Sequence, residues 1–247
     1  MRHYLATTFG GAILAVGMMA GAEAAPITFF GENVTPAATV SGDPVTARAN
    51  FLATLSGGVG TEDFESLSGS TPLALNFPGS TGGITATLTG SAVVQSSPNA
   101  GRFATSGSRY LQTSAGGNFG VAFSSAISAF GFYATDLGDF GNQLILRLTD
   151  TDGIVTSLAV PHIVGSGGNP DGTLVFFGFI DLTTAYTSIA FDNQPGGVDV
   201  FGFDDMTIGD RRQIVNPPSE IPLPAAGWFM VAGLGGLAAL RRRRKAV

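Results

Sequence analysis

The stretch LILRLTDTDGIVTSLAV, residues 144–160, constrains the fold more than any other. Leu144, Leu146 and Leu148 alternate with Ile145, Arg147 and Thr149, so a strand here would carry the leucines on one face. Asp152-Gly153 supplies the turn, and the chain returns through Ile154 to Val160. Asp-Gly between two alternating runs is a strong hairpin signal. Further short runs of the same kind lie at 84–88, 109–113, 119–123, 129–134, 174–181, 188–192 and 200–208, broken by Gly, Asn, Asp and Pro. Many short strands between turn signals imply an antiparallel β-sandwich or jelly roll.

One segment departs from this pattern. SGDPVTARANFLATLSGG, residues 41–58, reads as a short N-terminal helix, with Asp43 as its cap, Pro44 in its first turn and Gly57 at its end. Val45, Ala49, Leu52 and Leu55 share one helical face with Phe51 beside them, which implies packing on the outside of a sheet.

The two ends read as processing segments. Residues 1–24 have a short basic start, an apolar stretch and Ala22-Glu23-Ala24, the form of a signal peptide cleaved by signal peptidase after Ala24. The alternative is an uncleaved N-terminal anchor. Residues 25–210 then form the β domain, and 211–220 a linker. At the other end, Leu223 to Leu240 is 18 residues without a charge, long enough for a transmembrane helix. Arg241, Arg242, Arg243, Arg244 and Lys245 follow, and such a basic cluster stays on the cytoplasmic side. The expected location is therefore the inner membrane, with the body outside the cytoplasm.

Without its ends the body is about 196 residues, enough for one domain with a real core. Its 6 basic and 17 acidic residues give a net charge of −11. An acidic body is a poor partner for nucleic acid and a reasonable one for divalent cations. With no cysteine and a single histidine in the body, His162, disulfides, cysteine nucleophiles and multi-histidine metal sites are excluded. His162 follows Pro161 and reads as a loop or strand-end residue.

The tail carries a resemblance. Ile221-Pro222-Leu223-Pro224-Ala225-Ala226, then a Gly-rich span, then the arginine cluster resemble a PEP-CTERM sorting tail, and more closely its VPLPA-CTERM variant. Leu223 stands where the Pro-Glu-Pro form has Glu, and Ile221 where the variant has Val. The resemblance implies export in a Gram-negative bacterium that makes exopolysaccharide. It also implies an exosortase that cuts near the proline motif, leaving the protein at the cell surface or outside. A permanent single-pass anchor is the plainer alternative. Four pieces of the body, at 61–65, 105–110, 130–140 and 201–209, also resemble those of exported proteins with such tails.

Chemistry is hardest to read. Phe201 and Phe203 are out of phase with Met206 and Ile208, so a β-bulge is expected at Asp204 and Asp205 if both pairs face the core. Two adjacent carboxylates repel unless something positive neutralises them. Calcium is the expected cofactor there, held by Asp204, Asp205 and Glu65, with Asp63 a weaker partner. The alternative is solvated strand-end carboxylates. A second acidic loop holds Asp136, Asp139 and Asn142. The function expected is a non-catalytic envelope or matrix protein associated with exopolysaccharide or biofilm. A carbohydrate-active enzyme using two of these acids is the competing reading.

Overall fold

The computed structural model describes residues 25–36, 38–80, 82–96, 98–99, 101–114, 116–138, 141–165, 170–192, 199–215 and 217. Ala24, Asp139, the sorting motif, the apolar span and the basic cluster lie outside the described residues. Among the described residues, no helix is long and apolar enough to cross a membrane.

The chain opens with strand β1 (Ile27–Asn33) and helix α1 (Asp43–Ala53). Short strands follow: β2 (Gly60–Glu62), β3 (Gly69–Ser70), β4 (Leu73–Asn76), β5 (Thr85–Gly90) and β6 (Val93–Gln95). The longer ones come next: β7 (Tyr110–Ser114), β8 (Phe119–Ile127), β9 (Ala129–Thr135), β10 (Ile145–Asp150) and β11 (Val155–Ala159). Finally come β12 (Leu174–Ile180), β13 (Tyr186–Asp192) and β14 (Val200–Gly209), and a turn of 3-10 helix at Arg211–Gln213.

All pairings are antiparallel and form two sheets. The first has the order β1-β12-β9-β14-β7-β6-β3, with β2 also on β14; the second has β11-β10-β13-β8-β5-β4. Phenylalanines from both sheets meet between them. Phe119 of β8 lies 5.1 Å from Phe203 of β14, and Phe191 of β13 lies 5.2 Å from Phe132 of β9, both edge-on. Aromatic pairs in this geometry stabilise beyond the area that they bury. The expected β-sandwich is therefore present, and so is the expected hairpin. Asp150 Oδ1 accepts the N–H groups of Asp152 and Ile154, and Gly153 takes φ 80°.

The helix sits on the outer face of the first sheet, as expected, but with a different cap and only part of the expected face against it. Gly42, at φ 77°, occupies the cap position and Asp43 is the first helical residue. The helix ends at Ala53, before Gly57. Of the expected face, Val45 and Ala49 are exposed, while Leu52 and Leu55 pack against the sheet with Phe51, and Pro44 and Ala47 are buried as well. Phe51 seats over Gly131 and Gly178, which face each other across β9 and β12. A Cβ at Gly131 would stand 2.9 Å from the Phe51 ring. Gly131→Ala is therefore expected to cost about 1–3 kcal/mol by overpacking. Denaturant unfolding measures this, and a loss below about 0.5 kcal/mol would show that the glycine pair does not form the helix seat.

Residues 211–215, read as the start of a linker, stay on the body. Ile214 bridges Leu55, Val215 donates its N–H to Thr54 O, and Gln213 is buried.

Candidate functional site

The bulge expected at Asp204 and Asp205 organises the outer face of the first sheet. Its register against β9 shifts between Asp204 and Thr207, and Asp205 takes φ 50°. On its other edge β14 changes partner there: residues 200–203 pair with β7 and residues 206–208 with β2. The two carboxylates stand at the gap between those partners.

A segment from Gly101 to Arg109 crosses this face, and carboxylates hold it at three points. Asp204 Oδ2 accepts the Thr105 N–H at 2.7 Å, the Thr105 hydroxyl at 3.0 Å and the Ser106 N–H at 3.1 Å. Asp205 Oδ1 accepts the Ser106 hydroxyl at 2.8 Å. Glu65 accepts the Ser108 and Arg109 N–H groups and the Ser108 hydroxyl. Further along, Arg102 Nη1 reaches Asp136 Oδ2 at 3.0 Å. Residues from 61–65, 105–110 and 201–209 thus meet at one place, and Asp136 of 130–140 holds the same crossing segment.

The electrostatics differ from point to point. Asp204 is buried, and burial together with the adjacent Asp205 charge pushes its carboxyl up to about 7 against the pull of its N–H partners. Arg48 of α1 lies 3.8 Å from Asp205 and over the Tyr133 ring. Glu65 is held below the usual carboxylate range, chiefly by the Ser108 N–H. Glu62, passed over in the sequence, is the buried acid of its segment. It accepts the Phe64 and Asn76 N–H groups, and desolvation raises its pKa.

The acid pair is thus neutralised by backbone donors, hydroxyls and one arginine. Among the described residues, no three His, Asp or Glu side chains are grouped closely enough to hold a metal ion. Glu65, Asp204, Asp205 and Asp63 each accept hydrogen bonds, Asp63 from the Glu65 N–H. A melting temperature raised by calcium over chelator, with the rise lost in Asp204→Ala/Asp205→Ala, would support calcium at this pair, and no shift in the unaltered body would count against it.

Asp139 is outside the described residues, and Asp136 faces Arg102, the Gly172 N–H and Asp171. Burial, and then the hydrogen bond to and charge of Asp171, push Asp136 up to about 6. Neither Arg102 nor Asp171 was singled out in the sequence. The one available signal was an arginine between Gly101 and Phe103 in a body with only 6 basic residues.

His162 lies in the loop after β11, as expected, and is buried there. Its Nε2 accepts the Leu144 N–H at 3.1 Å and its Nδ1 pairs with Ile163 O at 2.7 Å. Desolvation lowers its pKa, which suits a neutral ring fastening the start of β10. Tyr110, Tyr133 and Tyr186 are all buried, so none offers a face for a sugar to stack on.

No family model matches the chain, and no curated protein does. Similar solved structures include the K2 cleaved adhesin domain of Lys-gingipain. It shows 16% identity over 61% of this chain and 97% of that one, at a TM-score of 0.40. The C-terminal family 22 carbohydrate-binding module of Clostridium thermocellum Xyn10B shows 15% identity over 63% and 95%, at 0.34. A family 29 carbohydrate-binding module shows 13% identity over 66% and 99%, at 0.31. All three TM-scores are below 0.5, and at that level a likeness carries no argument about ligand or activity.

Proposed function

We propose that this chain is an exported, non-catalytic envelope or extracellular-matrix protein, sorted by an exosortase and associated with exopolysaccharide. The observation that carries this reading is the ordered C-terminal triple of proline motif (221–226), uncharged span (223–240) and basic cluster (241–245). Signal peptidase, the exosortase and the inner membrane are the partners that it implies. The prolines Pro222 and Pro224 mark the processing site, and Arg241 to Arg244 stop translocation.

The non-catalytic part is supported by how the acids are used. Asp204, Asp205 and Glu65 hold a neighbouring segment through its amides and hydroxyls. The Asp136 and Asp171 carboxylates both stand beside Gly101, close to each other. Glycoside hydrolysis needs carboxyl groups about 5 Å or more apart, with the sugar between them.

The test is the intact mass of the protein recovered from its native host, with membrane and medium fractions kept separate. A product ending within residues 221–226, or carrying added mass there, supports sorting. A product that keeps Trp228 through the arginines in every fraction overturns it in favour of a permanent anchor. Reducing-sugar release from the producer's own polysaccharide, lost on mutating a named acid, would overturn the non-catalytic assignment.

A further inference from the structure

Described residues of three loops line a cleft of about 310 Å³ beside the Arg102–Asp136 pair. The loops are the β1–α1 loop, the β6–β7 loop and the β11–β12 loop. Its lining combines the apolar Val34, Pro36 and Pro98 with the polar Asn99, Arg102 and Asp171. A pyranose ring likewise combines an apolar C–H face and a hydroxyl rim.

The polar lining is anchored before any ligand arrives. Asp171 is exposed, and its carboxylate neighbours that of Asp136, both beside Gly101. Asp136 is fastened in turn by Arg102 at 3.0 Å and by the Gly172 N–H at 2.8 Å. The Asn99 and Arg102 backbones bond to each other in both directions at 3.0 Å, which fixes that loop. Gly101, at φ 84°, lets the loop approach the two acids, since a Cβ there would collide with both carboxylates. Groups held in place in this way lose little freedom on binding.

Size and charge narrow the ligand. The cleft is at the small end of the range for small-ligand sites, about 300–1,000 Å³. That suits the end of a glycan rather than a long internal segment. The exposed Asp171, in a body of net charge −11, repels uronic acids and other anionic sugars. We infer that this cleft binds the neutral pyranose end of a glycan, with its C–H face on Pro36 and Pro98 and its hydroxyls on Asn99 and Asp171. The inference rests on the reading of the protein as polysaccharide-associated and assigns that association to a place.

Saturation-transfer NMR on the full chain tests it, with methyl glucoside, galactoside and mannoside as neutral probes and glucuronate as the anionic one. At least one neutral sugar is expected to bind, and glucuronate is not. Asp171→Asn and Asn99→Ala are each expected to weaken that binding about tenfold, with the melting temperature checked for each. Ser91→Ala, in a separate groove lined by Ser70, Ser91 and Gln112, is expected to leave it unchanged. Retention of the producer's exopolysaccharide on the immobilised protein is measured in parallel. Retention without any neutral sugar signal, or with binding unaltered in both cleft variants, overturns the cleft and leaves the proposed function standing. Sugar binding that depends on Asp171, without retention of the polysaccharide, keeps the cleft and overturns the exopolysaccharide association.

Discussion

Raising the pH from about 5 to about 8 is expected to remove about 3 kcal/mol from the stability of the folded domain through Asp204 alone. The sign follows from proton binding. The Asp204 carboxyl titrates at about 7 in the fold, against an ordinary value of 3.8. Between those values the folded state binds more protons than the unfolded one. The contribution is therefore fully present below the unfolded value and is lost as pH rises through the folded one. Asp136, pushed up to about 6, acts in the same direction. His162, whose pKa is lowered, opposes them: it stabilises above its ordinary value of 6.5, and that contribution falls away under acid. Glu65 completes its titration below the window.

Chemical denaturation at several pH values measures the slope. Asp204→Asn is expected to flatten it, at a pH-independent cost, because an amide nitrogen would then face an N–H donor. Carboxyl carbon NMR of Asp204 should show a midpoint near 7. A midpoint below about 5 would sink the idea that burial beside Asp205 dominates over the hydrogen bonds from Thr105 and Ser106.

Arg102→Ala is expected to cost about 3–5 kcal/mol, because it leaves the Asp136 charge buried and uncompensated. The side chain of Arg102 also donates to Val200 O and to Gln112 Oε1, each at 3.3 Å, so three elements lose a common partner. Adding Asp136→Asn to Arg102→Ala is expected to recover part of the loss, since the remaining buried group is then neutral. A double-mutant cycle on the unfolding midpoint separates the pair from the rest. A single-mutant cost below about 1 kcal/mol would mean that water reaches Asp136 and that the pair is not a buried anchor.

Local pattern carried a good part of the architecture. The 144–160 hairpin formed as read, because alternation and an Asp-Gly turn are properties of neighbouring residues. The bulge at Asp204 and Asp205 was legible for a similar reason: Phe201 and Phe203 are out of phase with Met206 and Ile208, and all four are buried. The expectation placed no strand at β1, which is held by its pairing with β12 more than a hundred residues away. The helix face was legible in part: Phe51, Leu52 and Leu55 pack as expected, whereas Val45 and Ala49 are exposed, because the seat is a pair of glycines on β9 and β12 that come together only in the sheet.

The sequence by itself determined that adjacent carboxylates at 204 and 205 need neutralising, that the body is acidic and free of cysteine, and that its strands alternate. What neutralises the pair was a tertiary matter. Amides and hydroxyls of Thr105 and Ser106, about a hundred residues away, and the guanidinium of Arg48 do so. The meeting of Arg102, Asp136 and Asp171 around a cleft was likewise decided by the folded chain. Strand period and turn chemistry act between neighbours along the chain, whereas burial and hydrogen-bond partners exist only after distant segments have been brought together.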